Sequence, residues 1–205
     1  MFNIVVLISG NGSNLQAIID AIENKTLEGV SISAVISNKS EAFGLKRAEK
    51  HNIATRVFSL QKYLKDDASR NRNDYGIELA KIIREYNPKL IVLAGWMIIL
   101  PASFLVEFEK NQPIIDVINL HPALPGQFAG AHAIERAYES FQKGEIDHTG
   151  LMVHKVIEEI DAGQVILTAN VDIKKEDTLS DLEERMHSVE HTTLVNAIKL
   201  LSTQQ

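Results

Sequence analysis

Short apolar runs alternate with amphipathic stretches along most of the chain. The apolar runs are rich in β-branched residues, which is typical of buried strands, whereas the amphipathic stretches repeat their apolar positions at helical spacing. The pattern predicts strands at 4–8, 32–36, 54–58, 90–94, 114–120, 151–156 and 165–171. It predicts helices opening at 14 and spanning 42–51, 75–86, 102–109, 133–143 and 178–201, with a loop of partial helical character at 61–73.

The succession of strands and helices indicates an α/β fold with a Rossmann-like, mostly parallel sheet flanked by helices. The last third adds strands and a long closing helix. Because no repeat, low-complexity tract or linker interrupts the sequence, we expect a single domain over residues 1–205. Ligands of such sheets sit beyond the carboxyl ends of the strands. Three unusual loops follow strand ends, at 9–14, 95–100 and 119–132, and parallel strands would bring them to one edge.

Composition argues against several classes of function. The net charge is −6, so the chain has no broad basic surface for nucleic acid or an acidic membrane. The lack of cysteine excludes disulfides, thiolate catalysis and cysteine-based zinc sites. The sequence has neither a basic leader nor an apolar run long enough for a bilayer. We therefore expect a cytoplasmic protein that binds small molecules, with no nucleic-acid or membrane partner.

The segment Ser9–Asn14 is a glycine-containing loop between a predicted strand and a predicted helix. Glycine lets the backbone approach a phosphate, and a helix N-terminus supplies N–H groups and a favourable dipole. A dinucleotide site would need a third glycine where Leu15 stands, and an acid near the end of the second strand, where Ile36–Lys39 has none. Phosphate binding is therefore favoured over NAD binding, and a plain strand-to-helix turn is the other alternative.

Asn119 and His121 stand two residues apart at the end of a predicted buried strand. Their side chains therefore point the same way, and an amide donor beside an imidazole can stabilise an oxyanion and move a proton. Asp161 lies in an acidic turn and gains a chemical role only if the fold brings it to His121. The alternatives are a structural histidine and a solvated turn.

The order of residues in His187–His191 matches the inverted zinc-protease pattern H-x-x-E-H, with both histidines on one helical face. No acid follows His191 to complete a zinc site, so we expect no metal. We expect instead that Glu190 or His187 faces a substrate. The other histidines have no local partner pattern and are interpreted as structural: His51, His132, His148 and His154.

Four segments together resemble one enzyme family: VVLISGNGSNLQAIIDA, VLAGWMIILP, INLHPALPG and VIEEIDAGQVI. They are similar to phosphoribosylglycinamide formyltransferases, and the likeness runs from Asn3 to about Leu200. HPALPG followed by HAIERA most resembles the fungal branch. The resemblance implies the formyltransferase fold and transfer of a formyl group from the co-substrate 10-formyltetrahydrofolate to the amine of phosphoribosylglycinamide, in purine synthesis. It also implies catalysis without a metal, by a cytoplasmic monomer or weak homodimer.

The resemblance implies roles for individual residues. Asn119 and protonated His121 would stabilise a tetrahedral oxyanion, and Asp161 would hold the imidazole and raise the pKa of His121. The positions that match the substrate-binding residues are Gly12, Ser13, Asn14 and Glu190. The positions that match the folate pocket are Arg72, Leu93, Trp96, Met97, Ile98, Ile99, Leu100 and Asn119, with the turn 157–161. Ile98 stands where some bacterial members have arginine, so a folate contact there would use the backbone.

Other functions remain as alternatives. Formyltetrahydrofolate hydrolase and methionyl-tRNA formyltransferase share the same polar set, but they usually carry an extra module for which the sequence has no room. The negative net charge also argues against tRNA. A non-catalytic protein that binds a phosphorylated metabolite would not need all three polar residues. A nicotinamide oxidoreductase is disfavoured by Leu15 and the missing acid.

Overall fold

The computed structural model describes residues 1–110 and 112–203. Its strands are β1 (Phe2–Ile8), β2 (Val30–Ser37), β3 (Thr55–Val57), β4 (Leu90–Leu93), β5 (Asp116–His121), β6 (His148–Lys155) and β7 (Val165–Asp172). Its helices are α1 (Ser13–Glu23), α2 (Phe43–Lys50), α3 (Leu60–Asp66), α4 (Arg72–Arg84), α5 (Ala102–Glu109), α6 (Ala133–Gln142) and α7 (Leu179–Thr203). None of these described helices combines the length and apolar character that a bilayer span requires.

Seven strands form one sheet in the order β3-β2-β1-β4-β5-β6-β7. β1 pairs in parallel with β2 and β4, β2 pairs in parallel with β3, and β6 pairs with β7 in antiparallel orientation. The predicted α/β fold with a mostly parallel sheet and a long closing helix is therefore confirmed. The chain separates into two compact units, residues 1–118 and 119–205, and β5 contributes to both. A single domain over the whole length stays a prediction.

The predicted loop at 61–73 is the main difference between the expected and observed elements. Most of it is helical, because two caps that act through side chains start helices there. The hydroxyl of Ser59 accepts a hydrogen bond from the Lys62 N–H at the start of α3. Asn71 and Asp74 form a reciprocal capping box at the start of α4. As a result, α4 begins three residues before the predicted position, at Arg72.

In the first unit, the carboxyl ends of β1 and β4 lie side by side. Leu7 is aligned with Leu93, and the whole run Ile4–Ile8 is fully buried. The loops that follow these strands consequently touch. The Ser9 N–H donates to the Gly95 carbonyl at 3.0 Å, and the Met97 N–H donates to Ser9 Oγ at 2.8 Å. Two of the three loops expected at one edge, 9–14 and 95–100, therefore meet, and the place of the loop at 119–132 beside them stays a prediction.

In the second unit, the helix α7 packs on β6, β7 and α6 through one apolar face. An ion pair fixes the start of this helix, since Arg185 donates to both carboxylate oxygens of Asp177, at 2.6 and 2.8 Å. Arg185 also donates to the Asp172 carbonyl, and the Tyr138 hydroxyl donates to the Asp177 carbonyl. The pair therefore ties α6, β7 and α7 together.

We predict that this ion pair makes stability depend on pH in acid. The Arg185 guanidinium lowers the pKa of Asp177 to about 2, below the value of roughly 4 for an unfolded carboxyl. A lowered folded-state pKa contributes stability above the unfolded pKa, and that contribution is lost as pH falls from about 5 to 2. Asp177→Asn should lower the urea midpoint at neutral pH and flatten its decline over this window.

The exposed neighbour Glu176 offers a matched control, because Glu176→Gln removes the same type of charge one residue away. Its urea midpoints should follow the wild type at every pH. Equal acid sensitivity of Asp177→Asn and wild type would contradict a role for the Asp177–Arg185 pair.

Candidate active site

Three segments of the second unit bring polar side chains together. Asn119 and His121 lie at the end of β5, and their separation of two residues points both side chains to one side of the strand. Asp161 lies in the turn between β6 and β7. Its carboxylate reaches Asn119 and His121 although these residues are distant in sequence. Its Oδ2 is 3.4 Å from His121 Nδ1, and its Oδ1 is 3.5 Å from Asn119 Nδ2. The predicted set of Asn119, His121 and Asp161 is thus a cluster in space.

A second histidine, His154 on β6, completes this cluster. Its Nδ1 donates to the Lys155 carbonyl at 2.9 Å, so its Nε2 faces the other polar groups. That Nε2 lies 3.3 Å from Asn119 Nδ2 and 3.5 Å from Asp161 Oδ1. Both ring systems are buried, with His121 at 4% and His154 at 2% exposure. The carboxylate of Asp161 is therefore shared between two imidazoles.

Backbone groups of the loop at 126–130 make the remaining contacts with His121 and Asp161. The Gly130 N–H donates to Asp161 Oδ2 at 2.8 Å, the shortest contact of that carboxylate. The His121 Nε2 faces the Phe128 carbonyl at 3.2 Å. A ring N–H at Nε2 suits that carbonyl, and a ring N–H at Nδ1 suits the carboxylate, so only the doubly protonated imidazole satisfies both contacts.

Burial nevertheless dominates the titration of His121. It is the largest influence and lowers the pKa of His121, whereas the charge of Asp161 and the hydrogen bond to Phe128 raise it. Nearby His154 and Arg136 add to the decrease. The predicted increase is therefore wrong in net direction. The expectation took the carboxylate into account and left out the cost of burying a charged ring.

Asp161 shows the opposite balance. Burial acts to raise the pKa of Asp161, but the hydrogen bonds from His154 and Gly130, with the charge of His121, outweigh it. The pKa of this carboxyl is consequently lowered, and it is ionised at neutral pH. A fixed carboxylate beside a buried imidazole and an amide can orient the ring and stabilise negative charge that develops on a bound molecule.

The glycine loop lies in the first unit, at the start of α1. Gly12 has a left-handed φ of 75°, and a Cβ at this position would stand 2.7 Å from the Cα of Gly44 on α2. The Gly44 N–H donates to the Gly10 carbonyl, and Arg47 donates to both the carbonyl and the side-chain oxygen of Asn11. Ser13 and Asn14 open α1, whose first turn presents N–H groups that can receive an anion.

The segment at 93–100 carries most of the positions matched to a folate pocket. Leu93 ends β4 and is buried, as is Trp96, whereas Met97 and Ile99 are 76% and 61% exposed. Ile98 and Leu100 are half-buried. The guanidinium of Arg72 donates to the Ile99 carbonyl at 2.8 Å, so the structure brings Arg72 to this segment. The indole N–H of Trp96 is buried and has no hydrogen-bond partner within the described part of the chain.

Glu190 is buried on α7, at 5% exposure, while His187 on the same helix is exposed. Of the two residues in the H-x-x-E-H pattern expected to face a substrate, Glu190 is therefore the enclosed one. Within residues 1–110 and 112–203, no group of three or more potential metal ligands comes together. The roles of these residues toward substrates stay predictions.

Sequence reasoning missed the role of His154 and of the loop at 126–130, which contacts His121 and Asp161. A signal existed for His154, since it follows the apolar residues Leu151–Val153 in a predicted buried strand, where a polar ring needs a partner. No comparable signal existed for Phe128, Gly130 or Arg136. Their contacts use backbone carbonyls and an N–H, which the sequence does not distinguish.

Comparisons with known proteins define the family of the chain. The sequence profile of the formyl transferase family matches residues 2–198. The chain therefore belongs to the formyl transferase family, and the predicted class of enzyme is confirmed.

Within the family, several relatives are named phosphoribosylglycinamide formyltransferase. The chain is 67% identical to the phosphoribosylglycinamide formyltransferase of Dictyostelium discoideum, covering 99% of each sequence. It is 48% identical to the enzyme of that name from Schizosaccharomyces pombe, covering 98% of this chain and 97% of the relative. The crystal structure of glycinamide ribonucleotide transformylase 1 from Symbiobacterium toebii superposes with a TM-score of 0.87 at 31% identity, covering 100% of this chain and 89% of the other. The resemblance drawn from the sequence is confirmed.

We predict that the pKa of His121 lies below that of an exposed histidine and falls further in Asp161→Asn. Burial sets the first effect, and loss of the neighbouring negative charge sets the second. Titration of the His121 ring by NMR in both proteins tests this. The ring signal of His187, which is exposed and lies outside the cluster, serves as the internal reference in both proteins. A His121 titration that does not respond to Asp161→Asn would contradict the electrostatic coupling.

Proposed function

We propose that this protein transfers a formyl group from 10-formyltetrahydrofolate to the amine of 5'-phosphoribosylglycinamide, in purine biosynthesis. The observation that carries the proposal is the cluster of Asn119, His121 and Asp161, assembled from distant segments. The names of the relatives support the choice of acceptor. The proposal includes a metal-free, cytoplasmic enzyme, monomeric or weakly dimeric, that acts on small molecules.

In the proposed reaction, the substrate amine attacks the formyl carbon and forms a tetrahedral intermediate with a negatively charged oxygen. The amide of Asn119 exchanges one of its long contacts with His154 and Asp161 for a hydrogen bond to that oxygen. His121 Nε2–H donates to it in place of the Phe128 carbonyl, while Asp161 stays beside Nδ1. Collapse breaks the bond from the formyl carbon to the folate nitrogen, which gains a proton, while the attacking nitrogen loses one. His121 or an ordered water carries that proton.

The remaining site residues bind the two substrates in this proposal. The backbone of Gly12, Ser13 and Asn14 at the start of α1 receives the phosphate, and the buried carboxylate of Glu190 receives the glycinamide. The pterin and its chain bind along Leu93 to Leu100, with Arg72 supporting the Ile99 end of that segment. The Trp96 N–H, which has no hydrogen-bond partner among residues 1–110 and 112–203, and the exposed Met97 suit such a ligand.

The decisive experiment compares folate deformylation with and without phosphoribosylglycinamide. Deformylation that requires the amine supports the transferase, whereas deformylation by water alone would identify a hydrolase. Asp161→Asn should lower kcat by about two to four orders of magnitude, the range for a lost acid–base or oxyanion element. The KM of both substrates should change far less, because the interaction strengthens mainly in the transition state. A near-normal kcat would remove Asp161 from the catalytic set.

We also predict that Gly12→Val raises the KM of phosphoribosylglycinamide by at least about tenfold, with a smaller effect on the KM of the folate. A side chain there meets the Gly44 backbone and must adopt a left-handed φ, which distorts the loop. Gly29→Val is the matched control, because Gly29 has a similar φ of 72° and open space around it. Equal KM values in Gly12→Val and the control would contradict a phosphate site at this loop.

A further inference from the structure

The guanidinium of Arg136, on α6, holds the loop that supports the cluster of His121 and Asp161. Its Nη2 donates to the Phe128 carbonyl at 2.5 Å and to the Ala129 carbonyl at 2.8 Å. Its Nε lies 3.3 Å from the carbonyl of His132, the residue that precedes α6. Its charge also stands 5.8 Å from the centre of the Phe128 ring. One side chain therefore contacts residues 128 and 129 of the loop and residue 132 at the start of α6.

The loop needs such support because its backbone is strained. Gly126, Phe128, Gly130 and His132 all have left-handed φ angles, of 77°, 44°, 84° and 57°. Two of these residues have side chains, which disfavour that conformation. A non-glycine residue stays in it only when the surrounding contacts require it. At Phe128 the contacts with Arg136 supply that requirement.

The two peptide groups that Arg136 holds also contact His121 and Asp161. The Phe128 carbonyl is the same oxygen that faces His121 Nε2 at 3.2 Å. The Ala129 carbonyl belongs to the same peptide group as the Gly130 N–H, which donates to Asp161 Oδ2 at 2.8 Å. Displacement of this stretch would therefore move one partner of the imidazole and one partner of the carboxylate together.

We propose that Arg136 is a positioning residue, which sets the orientation of His121 and Asp161 through the backbone at 128–130. The link to reaction rate rests on the proposed formyl transfer, whereas the structural link does not. Arg136 does not touch a reacting atom in this scheme. Its loss should affect kcat more than substrate affinity, because misplacement of catalytic groups acts on the transition state.

The test uses Arg136→Met, which keeps an unbranched stem and removes the donors, and Arg136→Lys, which keeps the charge without the planar fork. Arg136→Met should lower kcat by about ten- to a hundredfold, with the KM of both substrates within about threefold of wild type. Arg136→Lys should recover part of the loss. Glu139→Gln, an exposed change on the same helix, is the control and should retain wild-type kinetics.

A second measurement reports on the loop without any turnover. In the wild type, Asp161→Asn should shift the amide NMR signal of Gly130, because that N–H donates to the carboxylate. In the Arg136→Met background, the same change should shift the signal much less. If Arg136→Met does not fold, Arg136→Lys carries both measurements, with a smaller effect in the same direction.

The outcomes separate the two proposals. Wild-type protein without amine-dependent formyl transfer would reject the proposed function, and the Gly130 signal would still test the role of Arg136. A wild-type kcat in Arg136→Met would overturn the inference. So would a reduced kcat with an unaltered Gly130 response, since the loss would then act by another route.

Discussion

The carboxylate of Asp161 is the contact on which the polar cluster of the second unit depends. A carboxylate that is only about one-tenth exposed is costly unless donors surround it. Here the donors come from β5, β6 and the loop at 126–130, so a single anion aligns three segments that are distant in sequence. Without it, the two buried imidazoles would lose the anion that they share.

The backbone around Asp161 leaves little freedom for this arrangement. Asp161 has a left-handed φ of 53°, which is tolerated by aspartate more readily than by most residues. Two residues later, a Cβ on Gly163 would stand 1.7 Å from the Lys155 carbonyl, so only glycine fits the close approach of the turn to β6. The acidic turn therefore has a fixed shape, and its position between paired strands fixes where the carboxylate points.

Much of the fold could be predicted from periodicity, because buried parallel strands such as Ile4–Ile8 have few polar positions. The segment 61–73 was predicted with only partial helical character because its helices depend on caps and not on an apolar stripe. Asn119 and His121 could be predicted as a pair from their spacing on one strand. Their meeting with Asp161 depended on the pairing of β6 with β7, and the support from Arg136 passes through peptide groups that are chemically identical in every sequence.

The burial that lowers the pKa of His121 accords with a role in the proposed transfer. If the ring were charged before the reaction, its contacts with Asp161 and Phe128 would be complete already in the ground state. Binding that the ground state already has does not raise kcat. Negative charge on the tetrahedral intermediate adds an attraction for the proton to that of the Asp161 carboxylate. The proton affinity of His121 then rises as that charge develops. Asp161, ionised throughout because its own pKa is lowered, offsets part of the burial cost without removing it. The cluster is thus arranged to favour the charged imidazole most strongly when an oxyanion stands beside it.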